Sequence, residues 1–151
     1  MGAVNPITSV YSSANDVVMS TFSSWGPTDD GRIKPDVVTD GVNVLSTIGA
    51  ANNAYDVYTG TSMASPAAAG SLFLLQEHYS KLHAGTFMRS ATLKGLAIHT
   101  ANEAGLAPGP DYQYGWGLLN MQQAAAIITA NNTTDLIQEN VLNNGATFSL
   151  P

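Results

Sequence analysis

The stretch from Gly60 to Tyr79 constrains the fold more than any other part of the sequence. Gly60-Thr61-Ser62 ends a β-leaning run, and the residues after it predict a helix over Met63–Tyr79. The first half of this helix is built from small residues, namely Ala64, Ala67, Ala68, Ala69, Gly70 and Ser71. Small side chains let neighbouring backbones approach closely, so we expect the helix to be central and buried. Proline is tolerated in the first turn of a helix, so Pro66 indicates a helix start close to Ser62.

Charge is scarce in this chain, which has 151 residues, of which 44% are apolar and 11% charged. That length can bury one sizeable core, so a hormone-like peptide or a disordered tail is excluded. Acidic residues outnumber basic ones by 11 to 5, and the cations are scattered, whereas phosphate binding needs them clustered. We therefore expect no nucleic-acid partner. The richest apolar stretch, Met63–Leu75, is too short to span a membrane, and the absence of cysteine excludes disulfides and thiolate sites.

Short apolar runs alternate with helical patterns, which predicts an α/β fold. The predicted strands are Ala3–Val4, Val17–Phe22 and Asp36–Val38, followed by a hairpin that joins Val42–Ile48 to Ala54–Thr59. A second helix is predicted over Thr86–Thr100. Asn120 is a suitable N-cap for a third helix that reaches about Ile128.

The character of the sequence changes at Asn131. Thr134–Leu142 and Ala146–Leu150 flank Asn143-Asn144-Gly145, a pattern typical of a β-hairpin. We interpret residues 1–130 as one domain and residues 131–151 as a linker with the first hairpin of a following β-rich domain. The chain also opens abruptly on apolar Gly2-Ala3-Val4, so we expect its start to be a boundary cut into a larger protein.

Ser62 stands where a strand ends and a helix begins. A backbone N–H at that point faces out of the helix, and the helix dipole places partial positive charge beside it. Such an arrangement suits an acyl-transfer nucleophile, because negative charge develops on the attacked carbonyl oxygen. Gly60 lets the backbone turn without a Cβ clash. The alternative is structural, with the Ser62 hydroxyl capping an unpaired N–H of the helix.

Gly60-Thr-Ser-Met-Ala-Ser-Pro66 is similar to the motif around the catalytic serine of the subtilisin-like serine proteases, the subtilases. Four further segments resemble the family in its own order: Phe22-Ser-Ser-Trp-Gly-Pro27, Lys34-Pro-Asp-Val-Val38, Gly41-Val-Asn-Val-Leu-Ser-Thr47 and Tyr114-Gly-Trp-Gly-Leu-Leu-Asn120. Two departures stand out. Ala67 replaces the histidine that usually follows Ser-Pro, and Asp40 replaces the proline of the usual Ala-Pro-Gly.

The resemblance implies the C-terminal part of a catalytic domain, with the last strands and helices of a doubly wound parallel sheet. Ser62 would then be the nucleophile that forms an acyl-enzyme, and its N–H an oxyanion donor, with Thr61 and Gly60 beside it. In the family the catalytic aspartate and histidine, and an asparagine that completes the oxyanion site, precede this segment. We therefore expect this chain alone to be nearly inactive.

The histidines present do not fit the missing role. His78 is about 24 Å along the helix axis from Ser62 at ~1.5 Å per residue, and His83 is farther. His99 lies in the second helix without the family's His-Gly-Thr context. Asp40 lies in the wrong context for the family's aspartate and is interpreted as a loop residue.

The resemblance also implies a secreted or cell-surface serine endopeptidase that acts on peptides or proteins. Two alternatives stay open: a pseudoprotease that serves as a binding domain, and a segment that works by complementing another chain. Because apolar surfaces would be left uncovered, we expect self-association or burial against the N-terminal half of the catalytic domain. No cofactor is evident. Calcium enters only through the resemblance, and the acids Asp29, Asp30 and Asp36 are more simply solvated.

Overall fold

The computed structural model describes residues 1–134 and 137–149. Within these residues, four strands and three helices follow one another, with a short 3₁₀ turn at Ala14–Asp16. The strands are β1 (Gly2–Val4), β2 (Val38–Asp40), β3 (Val44–Thr47) and β4 (Tyr55–Tyr58). The helices are α1 (Thr61–Leu82), α2 (Ser90–His99) and α3 (Met121–Ala130).

The strands confirm the α/β class. β1 and β2 pair in parallel, with Ala3 opposite Thr39, and a single parallel bridge from Val38 to Leu118 extends this layer. β3 and β4 form the predicted antiparallel hairpin, with Val44 opposite Tyr58. Since β4 ends three residues before α1 begins, the hairpin leads directly into the helix that carries Ser62.

Two predicted strands need correction. Val17–Phe22 makes only an isolated antiparallel bridge, between Met19 and Val4, because the chain turns at once through a Ser23 N–H bond to the Ser20 carbonyl. β2 begins two residues later than predicted. The Asp36 carbonyl accepts from the Trp116 N–H instead of from a neighbouring strand, so regular pairing starts beyond it.

One face of α1 forms the junction of the fold. Its buried residues Ala64, Ala68 and Leu75 are turned to the side on which β1, β2 and α3 pack. The opposite side is open, with 75% of Phe73 and 63% of Leu74 exposed. The predicted burial of this helix is therefore found on one face only, where the small residues Ala64 and Ala68 meet the strands.

The second helix starts at Ser90, four residues after the predicted start. Before it, both backbone groups of Met88 are held by the Gln76 side chain of α1, at 2.8 and 2.9 Å. Held by these two hydrogen bonds, Met88 is buried, whereas Phe87 is 67% exposed. Met88 then joins Leu96 and Ile128 in the core between the three helices.

Asn120 caps α3 as predicted. Its side-chain oxygen accepts from the Gln123 N–H at 2.9 Å, and its amide nitrogen donates to Asn102 at 2.7 Å. In the described part of the chain, no helix is both long and apolar enough to cross a membrane.

The segment after α3 packs against α2. Within residues 137–149 the structure has no strand, so the predicted hairpin is wrong there; Thr134–Leu142 and Ala146–Leu150 also include residues outside the described ones. Only its turn forms, with the Ala146 N–H bonded to the Asn143 carbonyl. The assignment of residues 131–151 to a following domain stays a prediction.

Glu139 anchors this segment to the start of α2. One carboxylate oxygen accepts from the Arg89 N–H at 2.8 Å and from the Thr92 hydroxyl. The other lies 3.5 Å from the Arg89 guanidinium, which also donates to the Asn140 carbonyl. Arg89 is the N-cap residue of α2, and Glu139, 50 positions away, accepts its backbone N–H as a glutamate at the third helical position does in a capping box.

Candidate functional site

Gly60 forms the junction between β4 and α1. As the N-cap residue, it has φ 158° and ψ 164°, a conformation that residues with a Cβ rarely adopt. Its carbonyl accepts the N–H groups of Met63 and Ala64, at 3.0 and 3.4 Å, and so starts the helix. The glycine predicted to allow a sharp turn therefore does so, and Thr61 and Ser62 become the first two helical residues.

Gly41, at the end of β2, fixes the position of this junction. Its carbonyl accepts the Gly60 N–H at 2.8 Å. A Cβ at Gly41 would lie 2.7 Å from the Ala3 Cβ and 2.8 Å from the Gly60 carbonyl, both closer than atoms can approach. Only glycine lets the strand end pass this close to the start of the helix.

Ser62 is exposed, and its hydroxyl makes no hydrogen bond within residues 1–134 or 137–149. The alternative of a capping serine is therefore wrong: Gly60 is the N-cap residue, and no side chain caps this end. As the second helical residue, Ser62 also has a backbone N–H without an intrahelical acceptor. No acidic residue in the first turn offsets the positive end of the helix dipole.

Pro66 lies in the second turn of α1 and not in the first, because the helix starts at Thr61. Proline has no N–H, so the Ser62 carbonyl lacks the donor that residue 66 would normally supply. The first turn of α1 is thus held less firmly from within than an ordinary helix start.

The histidines lie away from Ser62, as predicted. His78 bonds through Nε2 to the Thr129 hydroxyl of α3 at 2.9 Å. His83 stacks on Tyr79 with ring centroids 3.8 Å apart, and its two ring nitrogens face the Tyr79 carbonyl and the Asn131 amide. His99 is the exposed last residue of α2.

Of the three acids considered above as calcium ligands, Asp30 and Asp36 form ion pairs with basic side chains. Partial burial opposes ionisation of Asp36, but hydrogen bonds from Lys34 and Lys94 outweigh it and hold its pKa below the usual value. Asp30 pairs with Arg32, and the Asp40 carboxylate accepts from the Val42 N–H. Across the described ranges, no group of three His, Asp or Glu residues could hold a metal ion.

Thr39 is a residue of this site that sequence reasoning did not single out. Its hydroxyl is buried and donates to the Ala64 carbonyl of α1 at 2.9 Å. The available signal was a hydroxyl that follows the apolar run Val37-Val38 and precedes Gly41 by two positions.

Comparisons with known proteins agree with this geometry. The sequence model of the subtilase family matches residues 2–117. The C5a peptidase of Streptococcus pyogenes is 45% identical over 75 residues, which are 50% of this chain and 6% of that protein. A PI-type proteinase of Lactococcus lactis subsp. cremoris is 32% identical over 127 residues, covering 81% of this chain and 7% of the relative.

Solved structures show the same fold. The CspB protease of Clostridium perfringens matches 78% of this chain with a TM-score of 0.66 and 29% identity, over 25% of its own length. A lanthipeptide protease matches 74% of this chain with a TM-score of 0.60, over 38% of its own length, and at 23% identity this match concerns the fold alone. The chain therefore spans only a small part of each of these relatives.

Proposed function

Since this chain belongs to the subtilase family of serine proteases, we propose that it carries the nucleophile of a serine endopeptidase, which cleaves peptide bonds through an acyl-enzyme on Ser62. The observation that carries the proposal is the exposed, unbonded Ser62 hydroxyl at the open N-terminus of α1. A substrate carbonyl that approaches this hydroxyl also meets the free Ser62 N–H and the positive helix end.

The chemistry divides between this chain and other groups. Attack by Ser62 forms the Oγ–carbonyl bond and places negative charge on the carbonyl oxygen, which the Ser62 N–H, with Thr61 beside it, stabilises. The hydroxyl proton must pass to a base. Among the described residues no histidine or carboxylate bonds to Ser62, so the base, its orienting acid and the second oxyanion donor come from the N-terminal part of the catalytic domain, as the family resemblance implies.

We place the chain at the C-terminal end of that catalytic domain. It spans 6–7% of the curated relatives and 25–38% of the solved ones, so the larger part of a subtilase lies outside it. In this proposal β1 and β2 are the last strands of a larger doubly wound parallel sheet, and residues 131–151 lead into a β-rich domain.

The protein that contains this chain acts on peptides or proteins and works outside the cell or at its surface. Both statements extend the family resemblance to the whole protein. Fractionation with an antibody to residues 1–130 tests the second: recovery only in the cytosol would contradict it. Calcium binding is suggested only by the family resemblance, and the described residues include no group of ligands for it.

The uncovered face of α1 favours a second role, complementation of another chain. The accessible surface is 9642 Å², whereas a compact monomer of 15.7 kDa exposes about 7,300 Å². Phe73 and Leu74 belong to this excess, and exposed apolar side chains of this size favour association. The partner is either a second copy or the N-terminal half of the catalytic domain.

A fluorophosphonate probe that labels activated serines tests the proposed function. In the longer protein we expect rapid labelling at Ser62, loss of it in Ser62→Ala, and retention in Ser65→Ala, an exposed serine three positions on. Loss of the base and orienting acid costs a serine protease roughly 10⁴–10⁶-fold in kcat, so the isolated chain should label very slowly.

Each other result has a definite meaning. A folded longer protein that neither labels nor cleaves peptides would be a pseudoprotease. Rapid labelling of the isolated chain would contradict its inactivity. Labelling that survives Ser62→Ala would exclude Ser62 as the nucleophile.

A further inference from the structure

The end of β2 contacts the start of α1 on both sides of Ser62. Two residues before Ser62, the Gly60 N–H donates to the Gly41 carbonyl at 2.8 Å. Two residues after Ser62, the Ala64 carbonyl accepts from the Thr39 hydroxyl at 2.9 Å. The end of β2 thus holds the helix backbone on both sides of Ser62, which we call the bracket. One of its two hydrogen bonds comes from the backbone of Gly41 and the other from the side chain of Thr39.

The two contacts of this bracket lie where α1 lacks one of its internal hydrogen bonds. Pro66 leaves the Ser62 carbonyl without its usual donor, so the backbone of the first turn has one restraint fewer. Thr39 is 8% exposed, which keeps water from replacing its hydroxyl at the Ala64 carbonyl. The nearest competing acceptor, the Asp40 carbonyl, is more distant at 3.4 Å.

We propose that Thr39 is a positioning residue for Ser62, and this inference rests on the proposed function of Ser62. Its hydroxyl holds the first turns of α1 in register with β2 and so sets the distance between the Ser62 hydroxyl and a bound substrate. The family's usual Ala-Pro-Gly is Thr39-Asp40-Gly41 here, so this hydroxyl belongs to the chain's own departure from the family pattern. Displacement of a nucleophile by a fraction of an ångström lowers the rate of the chemical step more than substrate binding.

The test uses the longer protein and three substitutions at Thr39. Thr39→Val keeps the shape and removes the hydroxyl, Thr39→Ala removes it without adding bulk, and Thr39→Ser restores it. We expect Val and Ala to lower kcat and the labelling rate at Ser62 by roughly tenfold, with KM within about twofold of wild type. Thr39→Ser should keep both kcat and the labelling rate at Ser62 within about twofold of wild type. Thr47→Val, at an exposed threonine of β3, is the matched control and should leave both unchanged.

Several outcomes would overturn the proposal. One is full kcat in a folded Thr39→Ala variant. Another is an equal loss in Thr39→Ser, which would assign the effect to packing. A third is failure of both Val and Ala to fold, which would make the hydroxyl a requirement of the whole fold and not of Ser62. If Ser62→Ala leaves the wild-type rate intact, the proposed function itself has failed, whatever Thr39 does.

Discussion

At the residue scale, Pro66 lowers the stability of the start of α1. It is exposed, so its ring contributes little burial, and it withholds a hydrogen bond from the Ser62 carbonyl. Proline inside a helix costs about 3 kcal/mol relative to alanine, whereas its restriction of the unfolded chain returns up to about 1 kcal/mol. The cost of proline in the folded helix therefore exceeds the stabilisation that comes from restricting the unfolded chain.

We therefore expect Pro66→Ala to raise the free energy of unfolding of the chain by about 2 kcal/mol. Urea denaturation followed by circular dichroism measures this change. Ser65→Ala, the neighbouring exposed helical position, should change stability by less than about 0.5 kcal/mol. A less stable Pro66→Ala variant would mean that the ring itself supports the turn.

Local chemistry explains which site residues could be predicted from the sequence. The position of Gly60 and Ser62 at a strand-to-helix junction was predictable, because the end of a strand and the start of a helix leave a local signature. Thr39 was not, since its acceptor lies 25 positions away on another element. The ion pair of Asp36 with Lys94 was not predictable either, because Asp36 lies just before β2 and Lys94 lies in α2.

At the scale of elements, α2 depends on a carboxylate outside itself. Hydrogen bonds from the Thr92 hydroxyl and the Arg89 N–H hold the pKa of Glu139 below its usual value, with the Arg89 charge adding to them. A carboxyl group whose pKa is lowered by folding contributes its stability above the unfolded pKa of about 4.3. That contribution is lost as the pH falls through the lower folded-state pKa.

Glu139→Gln keeps an acceptor oxygen but removes the charge. Because hydrogen bonds to a charged acceptor are stronger than those to a neutral one, we expect it to lower the free energy of unfolding by roughly 0.5–1 kcal/mol at pH 7. The difference from wild type should shrink once the pH falls below about 4.3. Urea titrations between pH 3 and pH 7 would show it.

Asn140→Ala is the matched control for Glu139. Asn140 meets Arg89 through its backbone carbonyl, so loss of its side chain should leave stability within about 0.5 kcal/mol of wild type. A Glu139→Gln variant with the wild-type pH profile would show that the carboxylate does not support α2.

The elements that the sequence predicted correctly are those formed by residues close together in the chain. The β3–β4 hairpin and the Asn120 cap arise from neighbouring residues, and both form. Val17–Phe22 has a strand-like composition but contacts β1 only briefly, around the Met19–Val4 bridge, before the chain turns. The described residues around Asn143 form a turn without flanking strands. Strand formation depends on a partner, and the partner is set by the whole fold.

At the scale of the molecule, the outer face of α1 is the surface through which we predict association. Phe73 and Leu74 are mostly exposed while the other side of the helix is packed. We expect the chain to self-associate, and Phe73→Ser with Leu74→Ser to shift it towards the monomer without a loss of stability above about 1 kcal/mol. Sedimentation velocity over a range of protein concentrations measures the shift.

Phe87→Ser provides the control, because Phe87 is also exposed (67%) but lies outside α1. This variant should associate as the wild type does. A wild-type chain that stays monomeric at every concentration would exclude the α1 face as an association surface.

The cap that Glu139 supplies to α2 has a consequence for how the protein matures on the ribosome. Arg89 leaves the exit tunnel 50 residues before Glu139 does. At roughly 5–20 residues per second, this delay is on the order of 3–10 s. During that interval the newly made second helix lacks the carboxylate that accepts its Arg89 N–H, so we expect its first turn to fray until the segment around Glu139 emerges.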